Sequence, residues 1–164
     1  MTRVNGQDQI EGALRGAIIA LGNFDGFHLG HQAVVGEAIR WAKAEGRPAI
    51  VATFDPHPVR HFTPDAAPFR LTTLDQRQEL FAAAGADAML VIQFNAAVAG
   101  MTAQEWIEQG LVGHLGAVGV VTGDDFTFGK GRGGNPHVLV DHGATVGLRA
   151  KAVSAVTLEG EVVS

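Results

Sequence analysis

The chain has 164 residues, 46% of them apolar and 18% charged, with a net charge of -5 when histidines are neutral and no cysteine. That length supports one ordinary hydrophobic core, and the balance excludes a disordered or coiled-coil chain. The missing cysteines exclude a disulfide framework, a thiolate zinc site and a cysteine nucleophile, and an acidic chain without a basic stripe is not built to bind nucleic acid.

Residues 1–16 carry Arg3, Asp8, Glu11 and Arg15 and no continuous apolar run, so they read as neither a signal peptide nor a membrane span. A cytoplasmic protein with no membrane partner is expected. Residues 17–21, Ala-Ile-Ile-Ala-Leu, form an apolar run ending at Gly22, which suits a buried strand entering a turn. Residues 31–45 place Val34, Val35, Ala38, Ile39 and Ala42 at helical spacing, with Gly46 as the stop. A second buried strand is predicted over 48–54. Residues 55–73 hold Pro56, Pro58, Pro64 and Pro68 and should be a long irregular loop, a class that is often functional.

The alternation continues with a helix near 74–84, a strand at 88–93 and a helix near 102–115, opened by a capping box of Thr102 and Glu105. Strands over 119–123 and 148–153 complete it. Strands alternating with helices predict an α/β fold, a doubly wound, Rossmann-like parallel sheet with helices on both faces, which binds ligands beyond the carboxyl ends of its strands. With no internal repeat and no linker, residues 1–164 are expected to form one domain.

The segment most suited to chemistry is Gly22-Asn23-Phe24-Asp25-Gly26-Phe27-His28-Leu29-Gly30-His31. It sets His28 and His31 after a strand and at the mouth of a helix, where free N–H groups and the helix dipole favour phosphate. Imidazole donors there would stabilise negative charge that shifts during phosphoryl or nucleotidyl transfer. Gly22, Gly26 and Gly30 would turn the backbone sharply and admit a nucleotide. A lone His-x-x-His is more often a pair of surface histidines. It is also a possible metal pair, but with no cysteine and no third ligand nearby, no metal site is expected.

That decapeptide resembles the signature of the His-x-Gly-His nucleotidylyltransferase superfamily. Together with Thr53-Phe54-Asp55-Pro56-His57-Pro58, Arg70-Leu71-Thr72 and Gly123-Asp124-Asp125-Phe126-Thr127-Phe128-Gly129, it makes the chain resemble, over almost its whole length, the N-terminal FMN adenylyltransferase module of the bacterial bifunctional riboflavin kinase/FMN adenylyltransferase (FAD synthetase) family. The resemblance implies transfer of AMP from ATP to FMN, giving FAD and pyrophosphate, with Mg2+ accompanying ATP. It implies catalytic roles for His28 and His31, and nucleotide contacts from Gly22, Asn23, Phe24, Asp25, Gly30 and Asp125. Ser164 aligns with the first serine of the family's Ser-Ser-Thr-x-x-Arg-like segment, which reaches the ATP phosphates.

On the flavin side the resemblance implies Phe54, Pro56, His57, Pro58, Phe62, Trp106 and Phe128, with Phe126 packed beneath the loop. A flat aromatic ligand gains stacking and dispersion from such rings. Read without the family, Phe62 and Trp106 fit a core equally, Asp125 fits a turn or helix cap, and Lys130 and Arg132 fit a solvated loop. In the family pattern a β-barrel riboflavin kinase domain follows, so a covalently linked kinase is the expected partner. Two alternatives stay open: nucleotidyl transfer to another phosphorylated acceptor, and a module that binds nucleotide or flavin without turnover.

Overall fold

A strand whose side chains are apolar on both faces must be covered on both, and three runs of this chain meet that description: Ile18–Leu21, Ala49–Phe54 and Ala88–Ile92, buried almost throughout. The computed structural model describes residues 2–5, 16–22, 29–54, 74–92, 100–123, 126, 128, 133–153, 156–158 and 161–163. Six strands form one sheet: β1 (Thr2–Asn5), β2 (Ile18–Leu21), β3 (Ala49–Phe54), β4 (Ala88–Ile92), β5 (Gly119–Gly123) and β6 (Arg149–Val153). Their order is β1-β4-β3-β2-β5-β6, and every neighbouring pair is parallel. A separate antiparallel pair joins β7 (Val156–Leu158) to β8 (Glu161–Val163).

Side-chain alternation along the strands assigns the helices to two layers. Ile18, Ala20, Ala49, Val51, Met89 and Val121 pack with Val34, Val35, Ala38, Trp41 and Phe81, so α1 (Leu29–Glu45) and α2 (Leu74–Ala84) cover one face. Ile19, Leu21, Ile50, Ala52, Phe54, Leu90 and Val120 pack with Trp106, Ile107, Leu111 and Leu139 on the other. That second layer is α3 (Ala103–Glu105), which runs straight on as a π-helix over Trp106–His114, and α4 (Pro136–Thr145). The doubly wound parallel sheet expected from the sequence is therefore the fold. His142 on α4 meets Glu108 on the π-helix, Nε2 to Oε1 2.8 Å, which ties this layer together.

Three elements were not anticipated: β1, α4 and the β7–β8 pair. α1 also begins two residues before the predicted start, at Leu29, so Gly30 lies in helical backbone and does not make a sharp turn. The predicted stop at Gly46 is as expected. Gly46 has φ 67°, and the amide of Arg47 reaches back to the Ala42 carbonyl at 2.8 Å, closing the last turn in a backbone shape that suits glycine.

The end of α1 is bound to the edge strand β6. Trp41 lies over Gly119, where a Cβ would come within 2.6 Å of the indole. Its ring carries the Arg149 guanidinium at 5.1 Å and the Lys151 ammonium at 4.5 Å from the centroid. Glu45 accepts from Arg149 Nη1 at 2.7 Å and Nη2 at 2.6 Å, from Trp41 Nε1 at 2.6 Å and from Arg47 Nε at 3.0 Å. The Arg149 fork, then the indole N–H and Arg47, hold its carboxyl down at about 2, from an ordinary 4.5. A carboxyl lowered on folding stabilises the fold fully above its unfolded value, and that contribution fades as pH falls toward the folded one. The urea midpoint of the wild type should therefore exceed that of Glu45→Gln at about pH 6, and the gap should narrow steadily as pH falls through about 4.

Candidate active site

The strand order reverses beside β2. From β2 the chain proceeds outward through β3 to β4, and then returns to lay β5 on the opposite side of β2. The helices after β2 and after β5 lie on different faces, so the carboxyl ends of these two strands mark the switch point at which open α/β sheets have their ligand crevice. Gly22 ends β2, with its amide donating to the Ala52 carbonyl at 3.3 Å. Leu29, Gly30 and His31 form the first turn of α1 at the same edge, and their N–H groups have no partner within the helix. No acidic residue occupies that turn, so no side chain there offsets the positive end of the helix dipole.

Four aromatic rings close on one another at this edge, on the face opposite α1. Phe54 ends β3. Trp106 opens the π-helix, one residue past the α3 capping box, in which Thr102 Oγ1 accepts from the Glu105 amide at 3.1 Å and Glu105 Oε1 from the Thr102 amide at 3.2 Å. Phe126 and Phe128 follow β5. Ring centroids stand 6.4 Å apart for Phe54 and Phe126, 5.9 Å for Phe126 and Phe128, 5.3 Å for Phe128 and Trp106, and 6.3 Å for Trp106 and Phe54. Because β2 lies between β3 and β5, these rings meet across its end.

Phe128 is seated on bare backbone. It exchanges both amide hydrogen bonds with Gly134, at 3.2 and 2.8 Å, and a Cβ on Gly134 would fall 2.5 Å from its ring. Asn135 then caps α4, its Oδ1 accepting from the Val138 amide at 3.0 Å, with Pro136 at the first helical position. The return of the chain to the sheet thus holds the ring in place.

Of the residues singled out in the sequence, Phe54, Trp106 and Phe128 are brought together, while Gly22, Gly30 and His31 fall on the backbone of the same carboxyl edge. Asn23, Phe24, Asp25, His28, Pro56, His57, Pro58, Phe62, Asp125 and Ser164 lie outside the described residues. Burial orders two rings differently from expectation: Phe128 is the buried one, at 7% exposure, and Phe126 is only partly covered. Among the described residues no group of three or more His, Asp or Glu is placed to hold a metal ion, and no helix is long and apolar enough to cross a membrane. The sequence reading also passed over Arg77, a buried cation on α2 whose Nη1 donates to Thr53 Oγ1 at 2.7 Å. A basic residue at an apolar position of the helical pattern was the available signal.

The family model for FAD synthetase matches residues 10–164. The chain belongs to the FAD synthetase family. Its relatives include the bifunctional riboflavin kinase/FMN adenylyltransferase of Pseudomonas fluorescens, 35% identical over all of this chain and 52% of that protein. The protein of the same description from Escherichia coli (strain K12) is 37% identical over 81% of this chain and 42% of its own length. The chain thus spans about half the length of the curated relatives it matches. A crystal structure described as a macrolide-efflux protein from Streptococcus pneumoniae superposes with a TM-score of 0.82 over the whole of this chain and 53% of that one. At 22% identity that likeness speaks for the fold alone.

Gly134→Ala should unseat Phe128, destabilising the fold by about 1–3 kcal/mol through overpacking. The aromatic near-ultraviolet circular dichroism should change with it, since Phe128 packs on Trp106. A variant with wild-type urea midpoint and spectrum would mean that the ring is not seated there.

Proposed function

We propose that this chain transfers AMP from ATP to FMN, giving FAD and pyrophosphate. The observation that carries the reading is membership of the FAD synthetase family over residues 10–164, a span that contains every motif segment picked out in the sequence. The parallel order and its reversal beside β2 support it, since they put the first turn of α1 and the aromatic cluster at one crevice.

In this reading a phosphate oxygen of FMN attacks the α-phosphorus of ATP, and the bond from that phosphorus to the bridging oxygen of the β-phosphate breaks, releasing pyrophosphate. Charge moves from the attacking oxygen to the leaving one. His28 and His31 donate to phosphate oxygens as it moves, and the amides of the first α1 turn hold the anion without reorganisation. Mg2+ enters with the triphosphate, as part of the substrate. Gly22, Asn23, Phe24, Asp25, Gly30 and Asp125 border the nucleotide, with Ser164 toward its phosphates. Phe62, Pro56, His57 and Pro58 border the flavin, and Phe54, Trp106 and Phe128 form the packed wall behind it. We propose that the reaction takes place in the cytoplasm, where ATP is abundant. In a longer chain a riboflavin kinase portion, named in the relatives, would supply the FMN consumed here.

The test is FAD formation from FMN and ATP by the full-length protein. His28→Ala and His31→Ala should each lower kcat by about a hundred-fold or more, the range for losing one preorganised donor to transition-state charge. Equal turnover in all three proteins rejects these roles.

A further inference from the structure

The face of β3 toward α1 and α2 reads Ala49, Val51 and then Thr53, two apolar side chains followed by a hydroxyl at the carboxyl end. A crossover helix runs back along the sheet, so the first turn of α2 meets the end of β3 and later turns meet its middle. Arg77 belongs to that first turn, and Phe81, one turn on, is in the apolar layer with Val51 and Met89. Arg77 is 2% exposed and Thr53 fully buried, with Nη1 donating to Oγ1 at 2.7 Å.

Withdrawing a guanidinium from water is costly, and an apolar side chain of similar volume would cover this part of the sheet at lower cost. What an apolar side chain would not do is fix a hydroxyl in direction. Thr53 immediately precedes Phe54, whose ring lies in the aromatic cluster on the opposite face, and it opens the segment Thr53-Phe54-Asp55-Pro56-His57-Pro58. A hydrogen bond that pins Thr53 from one side of the sheet therefore sets the peptide that carries Phe54 on the other.

We infer that Arg77 is a positioning residue for the flavin acceptor, acting through Thr53 to hold Phe54. The inference rests on the proposed transfer to FMN. The planar fork of arginine is what the geometry uses, so lysine, a flexible point charge, is not equivalent.

The experiment measures FAD formation by the full-length protein, varying FMN and ATP separately, for wild type, Arg77→Lys, Thr53→Val and Thr53→Ser. Arg77→Lys and Thr53→Val should raise KM for FMN by about ten-fold, the scale of one hydrogen bond to a charged group, with kcat and KM for ATP within about two-fold of wild type. Thr53→Ser, which keeps the hydroxyl, should stay near wild type. A lowered thermal midpoint with both substrates affected alike, or an unchanged KM for FMN in folded variants, overturns the inference. Should Arg77→Lys fail to fold, the Thr53→Val and Thr53→Ser pair decides, because it leaves the cation in place. A wild type that makes no FAD is the failure of the underlying reading, seen before any variant is compared. Quenching of FMN fluorescence on titration then still reports whether Arg77→Lys and Thr53→Val weaken flavin binding, and equal binding overturns the positioning role.

Discussion

The rest of the molecule depends on the need to cover both faces of a fully parallel sheet. Strands such as Ile18–Leu21 and Ala49–Phe54 expose apolar side chains alternately to each side, and a parallel connection cannot be a tight hairpin. Each crossover must lay its helix on a face, and with right-handed crossovers two covered faces require the chain to reverse its direction of travel across the sheet. The reversal falls beside β2. A ligand crevice at such a point is a by-product of covering hydrocarbon, and the first turn of α1 and the aromatic cluster stand where the covering helices part.

The two walls of the crevice differ in kind. On the α1 side the feature is electrostatic: backbone amides in a first turn that itself contains no carboxylate. On the other side it is packing, four rings in mutual contact with Phe128 resting on the backbone of Gly134. A nucleotide needs fixed dipoles around its phosphates, whereas a planar heterocycle needs a stiff apolar boundary. Rings that support one another at their edges keep their orientation when a ligand arrives, so little ordering entropy has to be lost on binding.

Much of the fold was legible because its strands are nearly continuous apolar runs. Ala17 to Leu21 and Gly119 to Gly123 have few other ways to be satisfied than burial in a sheet. β1 left no comparable trace, since Thr2-Arg3-Val4-Asn5 is a polar edge segment whose strand character comes from its partner β4. The α4 helix was obscured by Gly143, which brings the helix backbone against the Leu148 carbonyl where a Cβ would sit 2.9 Å away, and by its short length. The π-helical winding of Trp106–His114 has no compositional signature, because the same residues satisfy an α-helical pattern. At the site, motif spacing gave the residues but not their depth: the order of burial of Phe126 and Phe128 is decided by Gly134, six residues later.

The pairing of β1 with β4 bears on how the protein is made. Thr2 lies opposite Ala88 and Asn5 opposite Val91, so among the described residues β1 has its ladder partner in β4, a strand that emerges much later. At ordinary ribosomal rates that interval is on the order of five to fifteen seconds. During it the nascent β1 segment stays without its register, and β2 with β3 can assemble first as the nucleus onto which both edges are later added. β1 is thus fastened into the sheet only once β4 has emerged, well after its own synthesis.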